Sequence, residues 1–248
     1  MLDKKVDIGI LGAMDKEVET LISKLDNKTE EYIGGINFHR GTLEGKRVVI
    51  AKCGIGKVFA AICAQTMILK YSPEYIINTG VGGALDGDLH VTDVVVATDL
   101  VQHDMDTTPL GDPHGLISGI NVVNFPADAK LSALITECVE AQGIRCKKGI
   151  IASGDQFIAG GERKEFIKKT FSASACEMEG ASIAQVAYVN SVPFAVVRAI
   201  SDGADGDSSM DYPTFVAKAA TAALLRLEKI VCCNKAENHR SVILYIQF

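Results

Sequence analysis

The stretch VDIGILGAMDKEVETLISKL, residues 6–25, decides the fold class. Val6 to Leu11 is almost wholly apolar and stops at Gly12. From Asp15 the period changes, and Val18, Leu21, Ile22 and Leu25 fall at helical spacing with charges between them. A buried strand, a short turn and an amphipathic helix form the opening unit. The pattern recurs downstream. It predicts strands over residues 32–38 and 47–52, joined through residues 41–45, and then a helix carrying Val58, Ile62, Ile68 and Leu69. Further strands are expected over 75–78, 93–97, 150–153 and 194–199. A helix with Leu131, Leu134, Ile135, Cys138 and Val139 ends near Gly143, a residue suited to a left-handed cap. A last helix can be capped by Asp211, with Pro213 tolerated in its first turn.

Mixed strands and amphipathic helices point to an α/β fold, a three-layer α/β/α domain with a central mixed sheet. The domain is read as residues 1–230. Residues 231–248 form an atypical tail, a polar break before an isolated apolar stretch, and no independent domain. The glycine- and proline-rich region from His103 to Phe125 reads as irregular, either a lid or interface loop or a passive surface loop.

A chain of 248 residues, 48% hydrophobic, can bury one large core. Its formal net charge of -6, with Lys and Arg scattered, gives no general attraction to nucleic acid. The seven cysteines are odd in number and follow no recognisable leader, so a reducing cytoplasm is the expected location. No apolar run reaches the roughly 20 residues that span a bilayer, so no membrane association is expected. Cys232 and Cys233 lack the second pair of ligands a zinc site needs, the five histidines lack HExxH spacing, and no catalytic metal is expected. Neither a dinucleotide fingerprint, nor a phosphate-binding P-loop, nor a G-x-S-x-G nucleophile elbow occurs.

Ligands of open α/β sheets sit beyond the C-terminal ends of strands. Five expected ends carry special residues: 12–17, 53–57, 80–83, 154–158 and 201–202, with Glu177-Met178-Glu179 as a sixth. Each has two readings. Lys57 in CGIGK stands near a helix start and either attracts an anion or belongs to a plain glycine turn. NTGVGG lets backbone approach a sugar, or makes a tight turn. Glu177 and Glu179, two apart in an extended segment, point into one cleft, or they decorate a helix N-terminus. Asp202 is a general acid beside a nitrogen heterocycle, or a turn residue leading into GADGD. Glu17 by itself fits a solvated first turn of a helix. Phe157 could stack on a planar base and Met178 and Ile55 could floor a pocket, or all three could be core. His103 next to Asp104 could form a base pair, and Cys53 could be called a nucleophile; packing is the default for both.

Taken in order, IGILGAMDKEV, CGIGKV, INTGVGG, ASGDQFI, EMEGASIAQVA and VVRAISDGAD resemble the 5'-methylthioadenosine/S-adenosylhomocysteine nucleosidases of the purine nucleoside phosphorylase superfamily, over residues 6 to 230. The resemblance implies a nucleoside phosphorylase-like α/β fold, a cytoplasmic homodimer, no cofactor, and adenine nucleoside thioethers as substrates. It puts the water-directing glutamate on Glu17 and the purine-protonating aspartate on Asp202. It makes Glu179 the ribose ligand with Met178 packed against the sugar, and sets Glu177 and Arg198 around the sugar and water. Phe157 and Ile158 correspond to the adenine platform, Ser201 stands beside the purine, and Ile55 and Tyr212 lie near the 5'-substituent. One departure stands out: Val81, Gly82 and Gly83 replace a Ser-Ala-Gly triplet, and Val81 has no hydroxyl to donate near the nucleophile. The alternatives are a purine nucleoside phosphorylase and a non-catalytic purine-nucleoside-binding protein. The phosphorylases resemble RVGS where this chain has Asn78-Thr79-Gly80-Val81, without the cation and hydroxyl that grasp phosphate.

Overall fold

The computed structural model describes residues 5–141 and 143–202, with the backbone alone at 202. Tyr212, the helix start at Asp211 and Pro213, and the tail over 231–248 lie outside the described residues.

The opening unit is β1 (Ile8–Gly12) followed by α1 (Asp15–Ser23). An antiparallel hairpin pair, β2 (Asp26–Ile33) and β3 (Ile36–Leu43), leads to β4 (Lys46–Lys52) and α2 (Lys57–Tyr71). Next come β5 (Tyr75–Ala84), β6 (Val94–Gln102), the two-residue β7 (Phe125–Pro126) and α3 (Ala129–Glu140). The described part closes with β8 (Cys146–Ser153), α4 (Gly161–Phe171), β9 (Ala173–Glu177), α5 (Gly180–Val189) and β10 (Phe194–Asp202). α3 ends on Ala141 in the right-handed helical region, and Gly143, two residues on, takes a positive φ of 72°.

The sheet is mixed. β4, β1, β5 and β10 run parallel as neighbours, while β9, β8 and β6 run the other way. β10 pairs with both β5 and β6, so the path β5–β9–β8–β6–β10 returns to β5 and the sheet closes on itself there. That closure brings ends of strands running in both directions around one space.

Alternate residues of the strands feed two cores, as the pleat demands. Ile8 and Ile10 of β1, with Val48 and Ile50 of β4, pack beneath Val18 and Leu21 of α1 and Leu131 and Ile135 of α3. Leu11, Val49 and Ala51 face the opposite way, onto Ala60, Ala64 and Met67 of α2 and Ile183 of α5. Helices therefore cover both faces. A third cluster, with Val101, Ala152, Ile167 and Phe171, seats α4 against β6 and β8.

Two expectations are corrected. Residues 32–38 are not one strand but the β2–β3 hairpin turn and its flanks: Gly34 and Gly35 adopt φ of 59° and 84°, which reverses the chain. TGVGG is not a turn either. It lies inside β5, which continues through it to Ala84.

Candidate active site

One cleft of about 610 Å³ collects material from six places in the chain: Glu17 after β1, Ile55 after β4, Val81 to Gly83 in β5, Gln156 to Ile158 after β8, Cys176 to Glu179 at β9, and Ser201 in β10. The strand ends singled out by sequence do converge, because the closed part of the sheet turns them inward.

Glu17 is buried. It belongs to the first turn of α1, but its side chain turns back toward the preceding loop rather than out to solvent. Oε2 accepts from the Ala13 N–H at 2.7 Å and the Met14 N–H at 3.0 Å, and Oε1 accepts from the Val81 N–H at 3.1 Å. The plain solvated turn is thereby ruled out. Burial raises the Glu17 carboxyl above the ordinary carboxylate value, against the lowering charge of Arg198 and the three amides. Gly80 makes room for it: a Cβ there would stand 2.8 Å from Glu17 Oε1. A carboxylate, not a phosphate, occupies that close approach, while Gly82 of the same run lies against the Cys176 carbonyl and the Arg198 side chain.

Glu177 and Glu179 have different surroundings. Glu177 ends β9 and forms a buried pair with Arg198. It also accepts from the Ser153 hydroxyl and from the N–H groups of Glu179 at 3.1 Å and Gly180 at 2.8 Å. Burial pushes Glu177 up, yet Arg198 and these donors together hold it below the usual carboxylate value. Glu179 is the N-cap residue of α5. It accepts one hydrogen bond, from the Gly56 N–H to Oε1 at 2.7 Å, and its Oε2 has no protein donor among the described residues. Burial, then the neighbouring Glu177, raise it to about 7.

Arg198 does not line the cleft as expected. It is 2% exposed and lies behind the wall, donating to Glu177, to the Asn78 carbonyl and amide oxygens and to the Val197 carbonyl at 2.9 Å. It makes no hydrogen bond to Glu17 and reaches it through its charge alone. Since a guanidinium has five donors in a fixed fork, these acceptors absorb its reach.

The apolar walls come from Ile158, which is buried, from Met178, which is half-buried, and from Phe157 and Ile55, each 56% exposed at the rim. Gly82 and Val81 form the strand side, and Ser201 lies buried with its hydroxyl 3.4 Å from the Gly82 carbonyl. Asp202 continues the same strand, its Cα paired with that of Gly83. Its side chain and Tyr212 lie outside the described residues.

Lys57 is not a free anion-binding group. Its ammonium donates to Asp104 at 2.6 Å and Gln102 at 3.0 Å, and the N–H groups at the start of α2 are taken by Glu179 and Asp155. His103 and Asp104 form no base pair in the cleft. Burial drives the His103 imidazole down to about 4. Cys53 is buried and its thiol is pushed well above the ordinary value, so it is no nucleophile. Among the described residues no group of three or more His, Cys, Asp or Glu side chains could hold a metal ion. Residues that sequence reasoning missed include Gly56, Ser153 and Asn78, which act through hydrogen bonds to the acids and to Arg198. Nothing about their type or spacing announces such partners.

Comparison with known proteins gives a consistent result. The sequence profile of the Phosphorylase superfamily matches residues 7–232. A 5'-methylthioadenosine/S-adenosylhomocysteine nucleosidase of Staphylococcus aureus (strain Newman) is 42% identical over 225 residues, covering 90% of this chain and 98% of the relative. Among solved structures, the futalosine hydrolase of Helicobacter pylori strain 26695 superposes with a TM-score of 0.87 at 39% identity, covering 91% of this chain and 97% of that one. A mutant of the Helicobacter pylori 5'-methylthioadenosine nucleosidase, with 5'-methylthioadenosine in its active site, gives 0.87 at 38% identity, covering 91% and 98%.

Proposed function

This chain belongs to the Phosphorylase superfamily and, within it, to the 5'-methylthioadenosine/S-adenosylhomocysteine nucleosidases, and from that footing we propose how its own residues carry out the hydrolysis. The reaction cleaves the N-glycosidic bond of 5'-methylthioadenosine and S-adenosylhomocysteine, releasing adenine and the 5'-substituted ribose. 5'-Deoxyadenosine is a further proposed substrate. The observation that carries the reading is the seating of Glu17: a buried carboxylate held by three backbone amides against Gly80 and Val81.

Adenine leaves poorly as an anion, so Asp202 donates a proton or hydrogen bond to N7 and lets the bond lengthen. Positive charge then grows on C1' and O4', much as in glycoside hydrolysis. Glu179, with Oε2 unengaged, accepts from the 2'/3' diol and adds negative potential, while Met178 packs on the sugar. Glu17 orients water on the far face and takes its proton as attack completes. The register supports this division. Glu17 meets β5 at Val81 and the Asp202 backbone pairs with it at Gly83, about 7 Å of strand apart. Phe157 and Ile158 flank the purine with Ser201 beside it, and Ile55 and Tyr212 border the 5'-substituent. Arg198, behind the wall, positions Glu177, which lines the cleft. Val81 contributes its backbone N–H to Glu17, as any residue there would, and offers no side-chain hydroxyl.

Phosphorolysis is disfavoured by the same carboxylate, since a phosphate anion on that face would meet Glu17 with no free cation beside it among the described residues. The relative named futalosine hydrolase supports a second reading, in which the 5'-subsite admits futalosine. The working form is proposed to be a homodimer. Val58, Phe59, Ile62 and Leu69 line an exposed apolar stripe of α2 beside Ile55, a patch that suits a second copy of the chain. A cytoplasmic setting, in keeping with a role in methionine salvage, is supported by the free thiols Cys53 and Cys63. Among the described residues no helix is long and apolar enough to cross a membrane.

The test is product analysis of 5'-methylthioadenosine turnover in phosphate and in phosphate-free buffer, with the Asp202→Asn variant alongside. Free adenine and methylthioribose are expected in both buffers, with kcat of the variant lowered roughly 10²–10⁴-fold and nucleoside binding retained. A ribose 1-phosphate product would make the protein a phosphorylase, and near-normal kcat would remove Asp202 from its role.

A further inference from the structure

Asn78 stands where β1 and β5 part. The two strands pair in register as far as Leu11 and Asn78, after which β5 continues along β10 to Gly83. Glu17 fills the fork, held by the Ala13 and Met14 amides on one side and the Val81 amide on the other. Asn78 is 1% exposed, and an amide side chain buried that deeply is costly unless its hydrogen bonds are made. Both ends of it are engaged: Nδ2 donates to the Leu11 carbonyl at 3.0 Å, and Oδ1 accepts from Arg198.

Arg198 pairs by its Cα with Gly80, and Asn78 lies two residues before Gly80 on β5, so all three present the same face of the sheet. Glu17 lies over that face, its Oε1 2.8 Å from where a Gly80 Cβ would stand. The root of the Arg198 side chain is therefore one strand spacing, about 4.8 Å, from the residue on which Glu17 rests. A guanidinium turned forward from there would meet Glu17. It is turned back instead. Its two terminal nitrogens carry four N–H groups, which serve the Asn78 carbonyl at 3.2 Å, the Asn78 Oδ1, the Val197 carbonyl at 2.9 Å and Glu177. Asn78 supplies two of these four acceptors.

An ion pair with Arg198 would occupy the Glu17 carboxylate and weaken its hold on a proton taken from water. We propose that Asn78 is a positioning residue for the hydrolytic step: it holds the Arg198 guanidinium on Glu177 and away from Glu17, which stays unpaired and serves as the base for water. This role rests on the nucleosidase reading, in which Glu17 directs the water. Asn78 does not line the cleft, so its loss is felt in turnover rather than in affinity.

The experiment measures kcat and KM for 5'-methylthioadenosine in the full-length protein and in Asn78→Leu, Asn78→Ser and Asn78→Asp, each made on the parent and on Glu17→Gln. Asn78→Leu keeps the branched shape and removes every hydrogen bond of the side chain. It is expected to lower kcat by at least about tenfold, part of what a general base contributes, with KM within about threefold of the parent. Asn78→Ser, too short to reach Arg198 but able to admit water to the vacated contacts, gives the same answer where Asn78→Leu fails to fold. Asn78→Asp keeps an acceptor for Arg198 and is expected to hold kcat within about threefold of the parent. On Glu17→Gln there is no base to protect, and Asn78→Leu or Asn78→Ser is expected to change the residual kcat by less than about twofold. The same loss on both backgrounds, a raised KM with kcat unchanged, or equal losses in the Asp and Ser variants overturns the proposal. If the parent releases no adenine, or Glu17→Gln alone keeps the kcat of the parent, the nucleosidase reading itself falls. If Glu17→Gln is slow and the Asn78 effect persists on it, only this inference does.

Discussion

At the scale of single residues, three acids near one cleft are given three different proton affinities by their neighbours. Glu177 has Arg198 and stays ionised; Glu179 has an acid beside it and one amide, and sits at about 7; Glu17 has amides and distant charge, and is raised by burial. Below about pH 7 the ligand-free fold therefore favours the neutral form of Glu179, and above it the carboxylate that accepts from the diol. The stabilising contribution of the neutral form is complete below the unfolded value near 4.5 and is lost as pH rises through about 7. Glu179→Gln removes that loss. Thermal unfolding of the ligand-free protein should show little difference between variant and parent at pH 5 and a more stable variant at pH 8. A difference independent of pH would contradict the environment described for Glu179. The residue pattern at EMEG showed two acids but did not separate their roles, which only the resemblance did, because the partners that distinguish them, Ser153, Arg198 and Gly56, are distant in the chain.

At the scale of elements, the start of α2 is a junction. Its N–H groups hold Glu179 and Asp155, its Lys57 ammonium holds Asp104, and Asp104 Oδ2 accepts from the Asp155 N–H at 2.9 Å. Three loops are thus tied at one point. Asp104→Asn leaves the Lys57 charge largely buried and unpaired, at a cost of about 3 kcal/mol. A fall in unfolding midpoint of roughly 6–12 °C is expected, with a raised KM for nucleoside as Gly56 loosens its grip on Glu179. An unchanged midpoint would show the pair to be incidental. Elements with strong apolar periodicity, such as α1 and α3, were legible from sequence. β2, α4 and β9 were not. β2 is an exposed polar edge strand, α4 buries only Ile167 and Phe171, and β9 is built from small residues without alternation.

At the scale of the whole molecule, the α/β class and the convergence of strand ends could be read from sequence, because both follow from local patterns repeated along the chain. The closure of the sheet through β10 could not, since it is a long-range pairing of β10 with both β5 and β6. It is this closure that brings β9 and β10 to the same cleft as β5. Beyond the single chain, the proposed homodimer would cover the apolar stripe on α2. Phe59, 60% exposed, is central to it, and Phe59→Asp should convert a dimer to a monomer in sedimentation velocity. A parent protein that sediments as a monomer at micromolar concentration would contradict the dimer.

The central claim is a spatial one: a water-bearing carboxylate and a proton-bearing carboxylate on opposite faces of the same ribose. A crystal structure of the full-length protein with a purine ribosyl-cation mimic tests it most directly. The expected result has Glu17 within about 3 Å of a water at the cationic centre, and Asp202 at the same distance from the purine N7. Both carboxylates on one side of the sugar, or either one outside the cleft, would contradict it.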